Sequence, residues 1–271
     1  MLRWAYQNWQ VIVSVFVGTV SIAITVYFAR LQYRQARAKQ GEDFRRALRE
    51  GREWQERGEK PWHTYEEKED CEKALQEADN AYKTAYEYAR TKEEKALVCL
   101  YCFICAELRA GLTEYAEVRE ELLRASEQFV KKGLRYNRKT MVKEALLEAR
   151  KYKKYFENSG CQRGLYQNMA SILYGKAREW ERDKRRAAEI AFESGKWLSE
   201  IGDPHAAKEA LQWCQRLNPN HKEAFFEMAM VDISLGPDYY CSAIQNLRRH
   251  LEINSDDAEA REWIELLLKE T

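Results

Sequence analysis

Two hydrophobic patterns divide the chain. Residues 11–29 (VIVSVFVGTVSIAITVYFA) are uncharged and mostly β-branched or aromatic, and the run stops at Arg30. As a helix this stretch rises about 28 Å, close to a hydrocarbon core of about 30 Å. Trp4, Tyr6, Trp9 and Tyr27 stand near its two ends, where amphipathic rings favour the headgroup level. The pattern predicts a transmembrane helix. From Thr64 onward the apolar positions recur every three or four residues instead. That period predicts helices near 64–89, 92–110, 114–133, 139–157 and 163–184, broken at Thr91, Gly111, Gly133 and Asn158 to Gly160. Shorter helices follow near 188–201, 204–217, 222–235, 239–253 and 257–269. No segment alternates with period two, so the fold class is all-α, and the short connections make successive helices antiparallel neighbours.

The flanks of the apolar run set its expected orientation. Arg3 precedes it, while Arg30, Arg34, Arg37, Lys39, Arg45, Arg46 and Arg49 follow it. The positive-inside bias then puts residues 1–10 outside and the rest of the chain in the cytoplasm, at a bacterial inner membrane or an organelle membrane. A cleaved signal peptide fits less well, because its apolar core is shorter, about 7–15 residues. Ser14, Gly18, Ser21 and Thr25 share one helix face, a small-residue stripe of the kind that lets membrane helices approach, with homo-oligomers as the consequence. Arg30, Arg34, Arg37 and Lys39 are read as fixing topology, with contact to anionic lipid headgroups as the alternative. Residues 30–63 read as a charged helical stalk with Gly41 and Gly51 as weak points, ending at Gly58 to Pro61.

Internal repetition organises the remainder. Residues 188–221 carry small residues at Gly195, Ala207 and Cys214, a turn at Gly202, the large Leu211 and a closing Pro219. Residues 222–257 follow the same scheme, with an insertion near Gly236-Pro237-Asp238. Phe225 and Met228 hold its large positions, Ala229 and Ala243 its small ones. These two units resemble tetratricopeptide repeats, whose period is about 34 residues. Asp232, where an apolar residue is usual, and His250, where a small one is usual, depart from that pattern. Residues 258–269 read as a capping helix with Trp263, Ile264 and Leu267, and 64–184 as long-helix hairpins that keep the architecture without the consensus. The resemblance implies an α-solenoid and a protein–protein interaction role.

Composition narrows the chemistry. A third of the residues are charged, yet the net charge is +1, which leaves no overall field for nucleic acid. Seven cysteines, an odd number spread through helices, favour a reducing compartment. Cys99, Cys102 and Cys105 form C-x-x-C-x-x-C, but no fourth ligand accompanies them, and among Leu, Tyr, Phe and Ile they read as small core residues. Arg216 and His221 have the R-x4-H spacing of one class of helical nuclease, but they span an inter-repeat turn. No phosphate-binding loop, HExxH or nucleophile elbow is present. The expectation is therefore a non-enzyme without cofactor or metal.

If the repeat register holds, the first helix of each unit lines a groove. Its residues are Glu189, Phe192, Lys196 and Ser199, then Glu223, Phe226, Met230 and Ile233. Some tetratricopeptide proteins grip a peptide carboxylate with basic residues here; Glu189, Glu223 and Glu227 do not imply that activity. The sequence thus predicts a membrane-tethered adaptor that recruits a protein partner through this groove. An oligomerising membrane effector and a helical nuclease are the alternatives.

Overall fold

A computed structural model describes residues 2–60, 64–158 and 163–270, with side chains described outside 2–25 and Arg163. The helices are α1 (Leu2–Gly58), α2 (Tyr65–Tyr88), α3 (Lys92–Leu112), α4 (Ala116–Asn158) and α5 (Arg163–Trp180). They continue as α6 (Lys184–Glu200), α7 (Pro204–Leu217), α8 (Ala224–Leu235), α9 (Tyr240–Ile253) and α10 (Ala258–Glu270). A 3-10 turn at Pro237–Tyr239 leads into α9, and no strand occurs among the described residues.

Local chemistry explains where these helices begin. Thr64 and Thr91 form reciprocal capping boxes with Glu67 and Glu94, so two otherwise unpaired backbone groups are satisfied at each start. Asp183 and Asp203 cap α6 and α7, and Pro204 occupies the first turn of α7, where its missing N–H costs nothing.

Each helix packs on its neighbour in the chain, from α1 on α2 through to α9 on α10. Approaches that skip one helix join α3 to α5 and α6 to α8. This one-dimensional order is that of a solenoid of helical hairpins. One core runs through α1 to α8, with Tyr82, Ile104, Met141, Tyr152, Trp180 and Trp197 wholly buried. A smaller one, built on Ala229, Ala243 and Leu247, joins α8, α9 and α10.

Three glycines behave differently from their sequence reading. Gly133 does not end a helix: α4 continues to Asn137, whose φ of −155° and ψ of 99° separate two limbs. There the Asn137 Oδ1 accepts from the Thr140 N–H at 3.1 Å and starts the second limb. Gly133 is instead a close-approach site, because a Cβ there would lie 2.5 Å from the Met141 sulfur and 3.1 Å from Cys99 Cβ. Gly51 and Gly58 act alike in α1. A Cβ at either would sit 2.5 Å from an atom of Tyr82 or Leu75 respectively.

The segment read as a stalk therefore divides. Residues 26–39 of α1 are exposed all round, including Val26, Tyr27, Phe28 and Leu31. Phe44, Ala47, Gly51, Gln55 and Gly58 are buried and form one face. A glycine that is a weak point in an isolated helix becomes a contact point once α2 lies against it.

Among the described residues no helix is long and apolar enough to cross a membrane. Most of the expected crossing, including the stripe of Ser14, Gly18, Ser21 and Thr25, lies outside the residues whose side chains are described. Arg30, Arg34, Arg37 and Lys39 are exposed along α1.

Candidate partner-binding face

The last two units repeat in geometry as well as in sequence. Asn218 and Asn254 end α7 and α9 with similar backbone angles, φ −137° and −125°, ψ 87° and 74°. Both N–H groups donate at 2.8 Å, to the carbonyls of Cys214 and His250. Three residues on, His221 Nδ1 accepts from the Ala224 N–H at 3.2 Å, and Asp257 Oδ1 from the Ala260 N–H at 3.1 Å. The same turn thus launches α8 and α10 with different capping residues.

Both departures from the repeat pattern are satisfied locally. Asp232 is fully buried, yet its carboxylate accepts from Lys208 Nζ at 2.5 Å, Ser242 Oγ at 2.6 Å and Asn246 Nδ2 at 3.0 Å. His250 joins the Lys222 carbonyl at 2.9 Å to the Asp257 carboxylate at 2.8 Å, which ties the start of the 222–257 unit to its end. That hydrogen bond holds the Asp257 carboxyl below its ordinary range.

The eight expected groove residues fall into two kinds. Glu189, Lys196 and Glu223 are exposed, whereas Phe192, Ser199, Phe226, Met230 and Ile233 are half-buried. The Phe192 ring lies tilted against His221 at 4.5 Å between centroids, and Phe226 against His250 at 5.4 Å. Each phenylalanine is thus partly covered by a histidine from a later element. Across the face Lys196 Nζ lies 3.4 Å from Glu227 Oε1, which joins α6 to α8.

The same row of first helices is linked by polar contacts far upstream. Arg150 holds Glu193 through two bonds of 2.7 Å, and Tyr174 adds a third at 2.8 Å. These bonds keep the Glu193 carboxyl below its ordinary range, against its partial burial. Tyr101 Oη donates to Glu148 at 3.3 Å and receives a bond from Arg52. Contacts thus step from α1 to α3, to the second limb of α4, to α6 and to α8. Sequence reading missed this row, because the partners are chain-distant and follow no helical period.

At its upstream end sits a buried polar hub. Glu59, just past α1, accepts from Gln55 at 2.6 Å and from Tyr152, and pairs with Lys151 at 3.3 Å. Its backbone carbonyl accepts from the Tyr166 hydroxyl, while Gln55 accepts from Tyr82 at 2.7 Å. Burial opposes the Lys151 ammonium, but Glu59 and Glu148 outweigh it and raise its pKa. Burial lifts the Glu148 carboxyl above its usual range, with Lys151 opposing.

The alternative chemistries do not assemble. His221 spends its ring on the α8 cap and on Glu189, and Arg216 lies over the Trp213 ring at 5.1 Å, so the pair does not converge on a substrate. Cys99, Cys102 and Cys105 are buried free thiols. Burial pushes Cys99 up to about 11 and the other two well above their ordinary value. Among the described residues no cluster of histidine, cysteine and carboxylate side chains could hold a metal ion.

No protein-family model matches the chain, and no curated protein matches it. Solved structures that resemble it in part include the following three. One is the first tetratricopeptide domain of Spaghetti (RPAP3) bound to an HSP90 peptide, at 16% identity and a TM-score of 0.36, covering 47% of this chain and 94% of that one. Another is YrrB, a tetratricopeptide protein with an unusual peptide-binding site, at 15% and 0.34, covering 70% and 83%. A third is the TPR2AB domain of yeast Sti1 in complex with pHSP90, at 14% and 0.38, covering 84% and 99%. Superpositions this loose do not establish a shared fold. The helical hairpins are read from the packing itself, and they make the chain an all-α, tetratricopeptide-like solenoid.

Proposed function

We propose that the chain is an adaptor whose α6–α8 face takes a protein segment, and that residues 11–29 hold it at a membrane. One observation carries the first part. Exposed Glu189, Lys196 and Glu223 occur on α6 and at the start of α8 together with the half-buried Phe192, Phe226 and Met230. Half-buried apolar side chains beside exposed Glu189 and Glu223 suit a segment with apolar anchors and flanking basic residues, and Met230 adds an adaptable surface. Ser199 and Ile233 complete the strip. The membrane part rests on the sequence: an uncharged apolar run of bilayer length, followed by Arg30, Arg34, Arg37 and Lys39.

Crosslinking of the full chain in native membranes tests the first part. Substituting Glu189→Lys and Glu223→Lys together changes only exposed side chains, so the fold should persist by circular dichroism. The expected result is a protein crosslinked to α6 and α8 in wild type and absent from the variant. Equal crosslinking in both would remove this face as the site. Carbonate extraction tests the second part, and release of the chain would remove the anchor.

A further inference from the structure

The two edges of the solenoid carry different charge, and the difference is aligned with α1. Successive helices run antiparallel, so the α2–α3 turn, the α4 limb junction and the α5–α6 turn share one edge. Contacts confirm that they adjoin. Asn137 Nδ2 donates to Glu93 Oε1 at 2.7 Å, and Arg138 Nη1 to the Trp180 carbonyl at 3.1 Å. The exposed half of α1 leaves the protein at this same edge, where Arg90 donates to the Arg37 carbonyl.

Bases dominate this edge near α1. Lys92, Arg135, Lys139, Lys184 and Arg185 are exposed, and their side chains have no acidic partner among the described residues. The opposite edge is acidic near α1, and Lys153 and Lys154 reverse that bias at the end of α4. It carries Glu66, Glu69 and Asp70 at the start of α2, and Glu114, Glu117 and Glu120 around the start of α4. Lys68 joins these two turns through Glu114 at 2.6 Å. Farther along the basic edge the bias reverses, with Asp256, Asp257 and Glu259 in the α9–α10 turn.

We infer that the basic edge docks on an anionic lipid surface. This rests on the anchor reading above, and distance supports it. Arg90 touches α1 seven positions past Arg30, about 10 Å of helix beyond the apolar run. The headgroup layer is about 5–8 Å thick on each side, and charges act over about 8 Å in physiological salt. The α2–α3 turn thus lies just outside the headgroup layer and within one screening length of it, and the two adjoining turns extend the same surface. The acidic edge faces away, which fixes one orientation of the solenoid and leaves the α6–α8 face accessible from the side.

The test is hydrogen exchange on the full chain in phosphatidylcholine vesicles, with or without about 30% phosphatidylglycerol. Exchange in segments 90–95, 134–139 and 182–187 is expected to slow roughly tenfold when phosphatidylglycerol is present. That protection should vanish in about 0.5 M salt. It should also vanish in the variant Arg135→Glu/Lys139→Glu/Lys184→Glu/Arg185→Glu, with segments 112–118 and 200–205 unchanged throughout. Protection that ignores phosphatidylglycerol, or that covers both edges alike, overturns the inference. So does tighter binding of the same edge to a single-stranded RNA oligonucleotide than to the vesicles. Carbonate resistance without lipid-dependent protection fails the edge and spares the anchor. Carbonate release with that protection intact fails the anchor and spares the edge.

Discussion

Glu59 and Lys151 meet at 3.3 Å although 92 positions separate them in the chain. Glu59 follows α1 directly, and Lys151 belongs to the second limb of α4, so this pair ties the end of the first helix to the middle of the solenoid. Tyr152 and Tyr166 bond to the same residue from α4 and α5. Removing one member of such a buried pair strands the other charge.

Lys151→Met should therefore be severe. It leaves Glu59 and Glu148 in one buried site without their cation, at a cost of about 3–5 kcal/mol in urea unfolding. The pH dependence has a definite sign. Glu148 has a raised folded pKa, so the folded state holds its proton more tightly and stability increases as pH falls through that value. The variant should show this acid stabilisation more strongly than wild type. A loss below about 1 kcal/mol would mean that water reaches the site and screens it.

Glu193 should contribute in the opposite sense. Arg150 and Tyr174 depress its folded pKa, so its contribution is present above the unfolded value and is lost as pH falls through the folded one. Glu193→Gln should flatten the acid limb of the melting-temperature profile. An unchanged acid limb would show that the Arg150 pair adds no net stability.

Asp232 and Lys208 permit a cleaner comparison. Lys208→Met alone leaves a fully buried carboxylate with only Ser242 and Asn246 as donors, and should cost about 3–5 kcal/mol. Adding Asp232→Leu should recover part of that loss, because an apolar pair of similar volume avoids the stranded charge. A double variant as unstable as the sum of the two singles would refute the coupling.

Glycine substitutions should differ in sign by site. At Gly51 a Cβ would lie 2.5 Å from the Tyr82 ring, and at Gly195 it would lie 2.6 Å from Leu211 Cγ. Alanine at either should cost about 1–3 kcal/mol through overpacking. At Gly175, inside α5, nothing lies within 4 Å of the added Cβ. Gly175→Ala should stabilise by about 0.5–1 kcal/mol through helix entropy. Melting temperatures of the three variants decide this.

Thiol chemistry should be confined by burial. Cys241 is the exposed cysteine among the described residues, while Cys71, Cys99, Cys102, Cys105 and Cys214 are buried and their pKa values are raised. Brief iodoacetamide treatment at pH 7.5 should label Cys241 and leave those five unmodified until the chain unfolds. Rapid labelling of Cys99 or Cys102 in peptide maps would show that α3 opens locally.

What the sequence alone determined is local. Helical periodicity, threonine and aspartate caps, Pro204 and the recurring Asn218 and Asn254 turns depend on residues within a few positions, so the all-α class and the last two units were legible. Two of its inferences changed meaning in three dimensions. Gly133 and Gly51 looked like breaks because propensity reports only the isolated helix, yet each admits a neighbouring side chain where a Cβ would not fit. Phe192 and Phe226 admit both a groove and a packing role by sequence alone, and each lies tilted against a histidine from a later element. Only the tertiary structure decided the Glu59 hub, the Arg150–Glu193 link and the separation of basic from acidic edges. Those depend on which helices lie side by side and which turns share an edge. Packing sets both, between residues whose spacing in the chain carries no period.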